Sequence, residues 1–197
     1  MIQMSHRSYS RYITSSVLVL IAVNVILYIA TLADPDLIYR LGLQPSTWME
    51  RPWTLLTNLF IHGGLWHLAA NMITLFFFGR YLSMMVGEAK FLIVYFLGGI
   101  IGNFFFILLG PSNTLVIGAS GAVFAVGGAF TLLAPKMKVF VFPIPVPLPL
   151  WVAVIGGFII LSFLPFVAWE AHLGGLLVGL AAGFFFKKRQ RNMPVFR

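Results

Sequence analysis

The chain of 197 residues is 60% apolar and only 9% charged, with a formal net charge of +8. Soluble domains carry roughly 25% charged residues, so this composition cannot build an aqueous surface and reads as an integral membrane protein. Nucleic acid is not the reason for the excess base, because no polar domain is present to carry a basic groove, and the lack of any cysteine excludes disulfides, thiolate metal sites and a cysteine nucleophile.

A helix needs about 20 apolar residues to cross a bilayer core. The first such run, Ile13–Leu32, follows Arg7 and Arg11. Its 20 residues exceed the roughly 7–15 of a signal-peptide core, so it reads as a retained span. Residues 33–65 form a long connection containing Trp48, Trp53, prolines and mixed charges. Tryptophans favour the membrane interface, and loops of this length are usually functional or disordered; the aromatic content argues against disorder. Further spans are expected at Trp66–Val86, Phe91–Leu109, Ser120–Ala134, Leu148–Val167 and Ala171–Phe186. The fold class is thus an all-α polytopic membrane protein with six transmembrane helices, residues 1–197 forming a single membrane domain. The fourth and sixth runs are short, at 15 and 16 residues. A short helix implies irregular chain at membrane depth that lines protein or a wet cavity. Between the fourth and fifth spans, Pro143–Pro149 alternates proline with apolar residues and reads as a stiff, non-helical connection.

Orientation follows from the basic residues. With six spans and both termini cytoplasmic, every Lys and Arg except Arg40 and Arg51 falls on the cytoplasmic side. Asp34, Asp36, Glu50 and Glu170 fall outside and Glu88 inside. Lys90 and the basic cluster at the C-terminus read as orientation and headgroup charges.

Polar side chains inside a membrane are costly and therefore informative. Spans two, four and six run in the same direction, and each carries one near its start: His67 and Asn71, Ser120, and His172. Gly121, Ala125 and Ala129 follow Ser120 at a four-residue period, and Gly175, Gly179 and Gly183 follow His172 in the same way. Small residues at this period let membrane helices approach closely. If the two faces meet, Ser120 and His172 sit together at the top of the contact, as serine–histidine chemistry requires. His172 would then serve as base to the Ser120 nucleophile. His67 and Asn71, four apart on one helix face, could donate to an oxyanion together with the Ser120 backbone N–H. No carboxylate is placed to orient His172, since Glu170, two positions earlier, points elsewhere; the pattern is a dyad. Asn103 in the third span is expected to make an interhelical hydrogen bond.

The residues resemble the rhomboid intramembrane proteases. Gly118-Ala119-Ser120-Gly121 is similar to that family's G-x-S-G motif. Ala171-His172 with Gly175 and Gly179 is similar to A-H-x-x-G-x-x-x-G, and His62, His67 and Asn71 to H-x-x-x-x-H-x-x-x-N. The resemblance implies a rhomboid-like bundle with Ser120 as nucleophile, His172 as base, and His67 and Asn71 as oxyanion donors. It implies single-span membrane proteins as substrates, cut within or near their membrane segments. No metal or cofactor is expected, because no second histidine or carboxylate cluster offers a ligand set. Localisation is expected in a prokaryotic cell membrane with the site towards the outer face. The sequence departs from relatives in having Thr54 after Trp53, with Arg51 before it, Ser83 where bacterial relatives often carry Glu, and Phe124 where some carry Tyr. The alternative is a non-catalytic rhomboid-like protein that binds membrane helices; a transporter is disfavoured because no charge falls deep within a span.

Overall fold

The computed structural model describes residues 15–141 and 144–192. Ile13, where the first span was expected to begin, lies outside the described residues, as do Arg7, Arg11, Pro143 and Arg197. Helix α1 (Ser15–Ala33) is a largely apolar run stopped by Asp34-Pro35, since a residue before proline avoids the helical region. The long connection holds two short helices, α2 (Leu37–Leu41) and α3 (Thr54–Thr57), and a 3₁₀ turn over Asn58–Phe60. Helix α4 (Leu65–Thr74) continues through a π-helical stretch, Leu75–Gly79, into α5 (Arg80–Val86). Gly87, at φ 89°, ends this rod in a conformation that favours glycine. Then follow α6 (Glu88–Leu109), α7 (Ser120–Leu133), a hairpin of β1 (Lys138–Val139) and β2 (Leu148–Pro149), α8 (Leu150–Ser162) and α9 (Trp169–Asn192).

Among the described residues, four helices are long and apolar enough to cross a membrane: Ser16–Ala33, Leu65–Val86, Glu88–Leu109 and Trp169–Arg189. The other two apolar helices, α7 with 14 residues and α8 with 13, rise only about 21 and 20 Å, against a hydrocarbon core of about 30 Å. The fourth run, expected to be short over Ser120–Ala134, corresponds to α7. The short run expected in the last span is not found: Trp169 and Glu170 extend α9 at its start, and Lys187–Asn192 extend it beyond the apolar run. Lysine and arginine are good helix formers and favour the last turns of a helix. Helix α8, expected as a long run over Leu148–Val167, is short as well. It begins only after the hairpin, in which Lys138 faces Pro149 and Val139 faces Leu148. It ends before Pro165, where Phe166 takes φ 62°.

Helices α6, α7 and α9 meet backbone to backbone. A methyl group on Gly175 would sit 2.0 Å from the Gly121 carbonyl oxygen, one on Gly179 2.1 Å from that of Ala125, and one on Gly183 2.7 Å from that of Ala129. The two small-residue faces therefore do meet, in register, along the length of the contact. Lipid offers no hydrophobic drive for helix association, so this close van der Waals fit is what holds the pair. Helix α6 joins through Gly98 against the Ala125 methyl and Gly102 against the Ala171 carbonyl.

The long connection is ordered by many bonds. Arg51 donates to the Tyr39 carbonyl (3.0 Å) and to the Thr47 hydroxyl (2.7 Å), and the Trp53 indole donates to the Arg40 carbonyl at 3.3 Å. Arg40 pairs with Asp34, and Trp48 packs edge-on against Phe104 of α6 with ring centres 5.9 Å apart. The connection also pairs with the segment before α7. Leu43 and Val116 exchange backbone bonds of 2.9 and 2.7 Å, and the Ser46 N–H donates to the Ser112 carbonyl at 2.9 Å.

Candidate active site

Ser120 is the first residue of α7, and His172 lies in the first turn of α9. The register of the glycine seam brings these two helix starts to the same level. Ser120 Oγ lies 2.7 Å from His172 Nε2, within hydrogen-bond distance for a hydroxyl that a base could deprotonate. His172 is buried, and the Phe124 ring covers it with ring centres 4.7 Å apart and planes inclined at 34°. Phe158 of α8 in turn meets Phe124 edge-on at 6.0 Å. His172 Nδ1 has no hydrogen-bond partner among the described residues; Glu170, itself buried, does not bond to it.

The chain reaches Ser120 through a constrained turn. Gly118 takes φ 122°, and a methyl group there would lie 2.7 Å from His67 Cε1 and Nε2, so both its backbone angle and its space demand glycine. The His67 ring is thereby placed against the backbone two residues before Ser120. Asn71 is buried and donates one amide hydrogen to the His67 carbonyl at 2.9 Å, which leaves its second amide hydrogen uncommitted. The first N–H groups of α7 have no preceding carbonyl within the helix and collect the positive end of its dipole. The structure thus bonds Ser120 to His172 and sets His67 beside the turn, whereas the Asn71 side chain, among the described residues, bonds only to its own helix.

His62 has a structural place. Its ring meets that of His67 at 4.9 Å, and its Nε2 accepts a long bond, 3.5 Å, from the Ala119 N–H. Burial, with the neighbouring His67 adding to it, pushes the His62 pKa from 6.5 down to about 3, opposed in part by the Phe60 carbonyl. A neutral ring keeps the lone pair that accepts from Ala119.

Asn103 does make the polar contact expected of it, but to the long connection. Its Nδ2 donates to the Leu55 carbonyl and the Asn58 Oδ1, both at 2.8 Å, while Asn58 Nδ2 donates back to Asn103 Oδ1 at 2.9 Å. Asn58 gives no signal in sequence, because a polar residue in a connection looks solvated; here it is fully buried. Among the described residues, no three of His, Asp and Glu converge to hold a metal ion.

Comparison with known proteins gives one consistent likeness. A rhomboid domain profile matches residues 49–189. The chain is 33% identical over 168 residues to "Rhomboid protein 1, mitochondrial" of Saccharomyces cerevisiae, covering 71% of this chain and 45% of the yeast protein. It is 37% identical over 95 residues to "Putative rhomboid protease YdcA" of Bacillus subtilis, covering 48% of this chain and 46% of that protein. It is also 32% identical over 145 residues to "Inactive RHOMBOID-like protein 8" of Arabidopsis thaliana, covering 72% of this chain and 41% of the plant protein. The chain spans less than half the length of these relatives.

Proposed function

Since the chain belongs to the rhomboid family, we propose that it is an intramembrane serine endopeptidase that cleaves single-span membrane proteins within or near their membrane segment. The observation that carries this reading is the 2.7 Å approach of Ser120 Oγ to His172 Nε2. Membership alone would not carry it, because one relative is named as inactive. In the reaction, His172 Nε2 takes the hydroxyl proton as Ser120 Oγ bonds to the scissile carbonyl carbon. The negative charge passes to the carbonyl oxygen, which is met by donors fixed in advance: the Ser120 N–H, His67 and the uncommitted Asn71 hydrogen. The imidazolium then returns its proton to the leaving amine as the C–N bond breaks, and water, deprotonated by the same ring, releases the acyl group.

The remaining architecture belongs to the same proposal. Residues 1–197 form one membrane domain in which α7 and α8 complete a set of six spans. Both termini face the cytoplasm and the site faces the outer side of the membrane, as the basic residues direct. The second reading, a catalytically silent binder of membrane helices, is favoured by the plant relative's name alone.

The test is labelling of the purified protein in lipid by a fluorophosphonate, which needs an activated serine and no knowledge of the substrate. Labelling is expected in the parent and absent from Ser120→Ala and His172→Ala, both remaining folded. A folded parent that takes no label would replace the protease reading with the silent one.

A further inference from the structure

Two neighbouring residues of α6 reach the chain beside each half of the Ser120–His172 pair, Gly102 at Ala171 and Asn103 at Asn58. On one side, a methyl group on Gly102 would stand 2.5 Å from the Ala171 carbonyl oxygen, in the residue before His172. Nothing larger than hydrogen fits there, so the backbone carrying the base lies directly against α6. On the other side, Asn103 holds Asn58 through the reciprocal amide bonds, and the Asn58 carbonyl accepts the Gly118 N–H at 2.9 Å. Gly118 is the residue whose φ of 122° turns the chain towards Ser120. Its N–H is therefore held by the Asn58 carbonyl, while the His67 ring occupies the space that a side chain on it would need.

The geometry points to Gly102 and Asn103 as the positioning element of the dyad, one setting the backbone before the base and the other the turn before the nucleophile. This rests on the serine-protease reading. Both Asn58 and Asn103 are buried, and their amides satisfy each other. A pair needed only to tie a loop to a helix could sit anywhere along the connection. This one sits on the residue whose carbonyl holds the approach to Ser120. A base and a nucleophile registered against adjacent residues of one helix keep their separation even when the helices around them shift. Small errors in such a separation are costly: a displacement of about 1 Å can reduce a rate on the order of a hundredfold.

The experiment measures fluorophosphonate labelling of the whole protein in lipid, separating the limiting rate at saturating probe from the probe concentration that gives half of it. Asn103→Leu and Asn58→Leu are each expected to lower the limiting rate by roughly tenfold to a hundredfold and leave the half-saturating concentration unchanged. The double variant should be no slower than the slower single one, because the two amides act as a unit. Gly102→Ala should also lower the limiting rate. The matched control is Asn24→Leu, which removes an equally buried amide whose Nδ2 bonds the Leu20 carbonyl within α1; it should cost stability and leave the limiting rate at the parental value. If Asn103→Leu does not fold, Asn103→Ser, too short to reach Asn58, decides the same point. A parental limiting rate in folded Asn103→Leu or Gly102→Ala overturns the assignment of that residue. An unlabelled parent overturns the protease reading and this inference together; a labelled parent with unaffected variants overturns this inference alone.

Discussion

At the scale of single residues, the site separates groups made conspicuous by the membrane from groups that it hides. Ser120, His172, His67 and Asn71 are conspicuous because a polar side chain in an apolar run needs a reason. Asn58 and Gly102 are hidden, one as an amide in a polar-looking connection and the other as one glycine among many. Asn71 is expected to matter through its second amide hydrogen. Asn71→Ala should lower kcat on the order of a hundredfold, as removal of an oxyanion donor does, while loss of its bond to the His67 carbonyl, within the same helix, should shift the thermal midpoint little. The measurement is kcat on a transmembrane reporter substrate beside a melting curve. His62 sets a different expectation. The unfolded chain takes up its proton near pH 6.5, whereas the folded one resists it down to about 3. More protons are thus bound in the unfolded state across that window, and the stability linked to this group is fully present above about 6.5 and falls as pH drops towards 3. Melting curves from about pH 7 to about pH 4 should fall more steeply for the parent than for His62→Gln.

At the scale of helices, hydropathy locates the rods and misplaces some of their ends. The rod Leu65–Val86 begins one residue before the expected Trp66, and α6 begins at Glu88 where Phe91 was expected. In the second case the helix reaches past its apolar run into Glu88, Ala89 and Lys90, which tolerate helix. The same effect extends α9 through its basic tail. The early end of α8 had a signal that hydropathy alone overrides: Pro165 lies within the apolar residues that continue to Val167, and the helix stops at Ser162 before it. The π-helical stretch was not legible, because it leaves no mark in the apolar pattern. The glycine seam was legible from its four-residue period, and it yields a contrast. Gly179→Ala would place its methyl 2.1 Å from the Ala125 carbonyl oxygen and should lower stability by about 1–3 kcal/mol, the usual cost of overpacking. Gly156→Ala and Gly157→Ala, where an added methyl meets nothing within 4 Å, should be neutral or stabilising by up to about 1 kcal/mol. Denaturant unfolding of the three variants compares them directly.

At the scale of the molecule, the charges divide the bundle. Lys90 at the start of α6 stands 5.9 Å above the Phe186 ring near the end of α9, and exposed Lys187, Lys188 and Arg189 follow on the same helix. Glu50 lies in the connection that pairs with the segment leading to Ser120. The lack of native cysteine makes the proposed orientation easy to check. Single cysteines replacing Lys188 and Glu50 should react with an impermeant thiol reagent from opposite sides of the membrane, Glu50→Cys from outside. Reaction of both from one side would refute the topology. The stitching of the long connection has a further consequence, for the order in which the protein is built. Asn58 meets Asn103 across 45 positions and Ser120 meets His172 across 52. Closing such distances costs chain entropy before any bond repays it, whereas each helix forms from neighbours alone. A chain still emerging into the bilayer therefore holds the serine before the histidine exists to meet it, so the proposed Ser120–His172 pair forms only once α9 is in place.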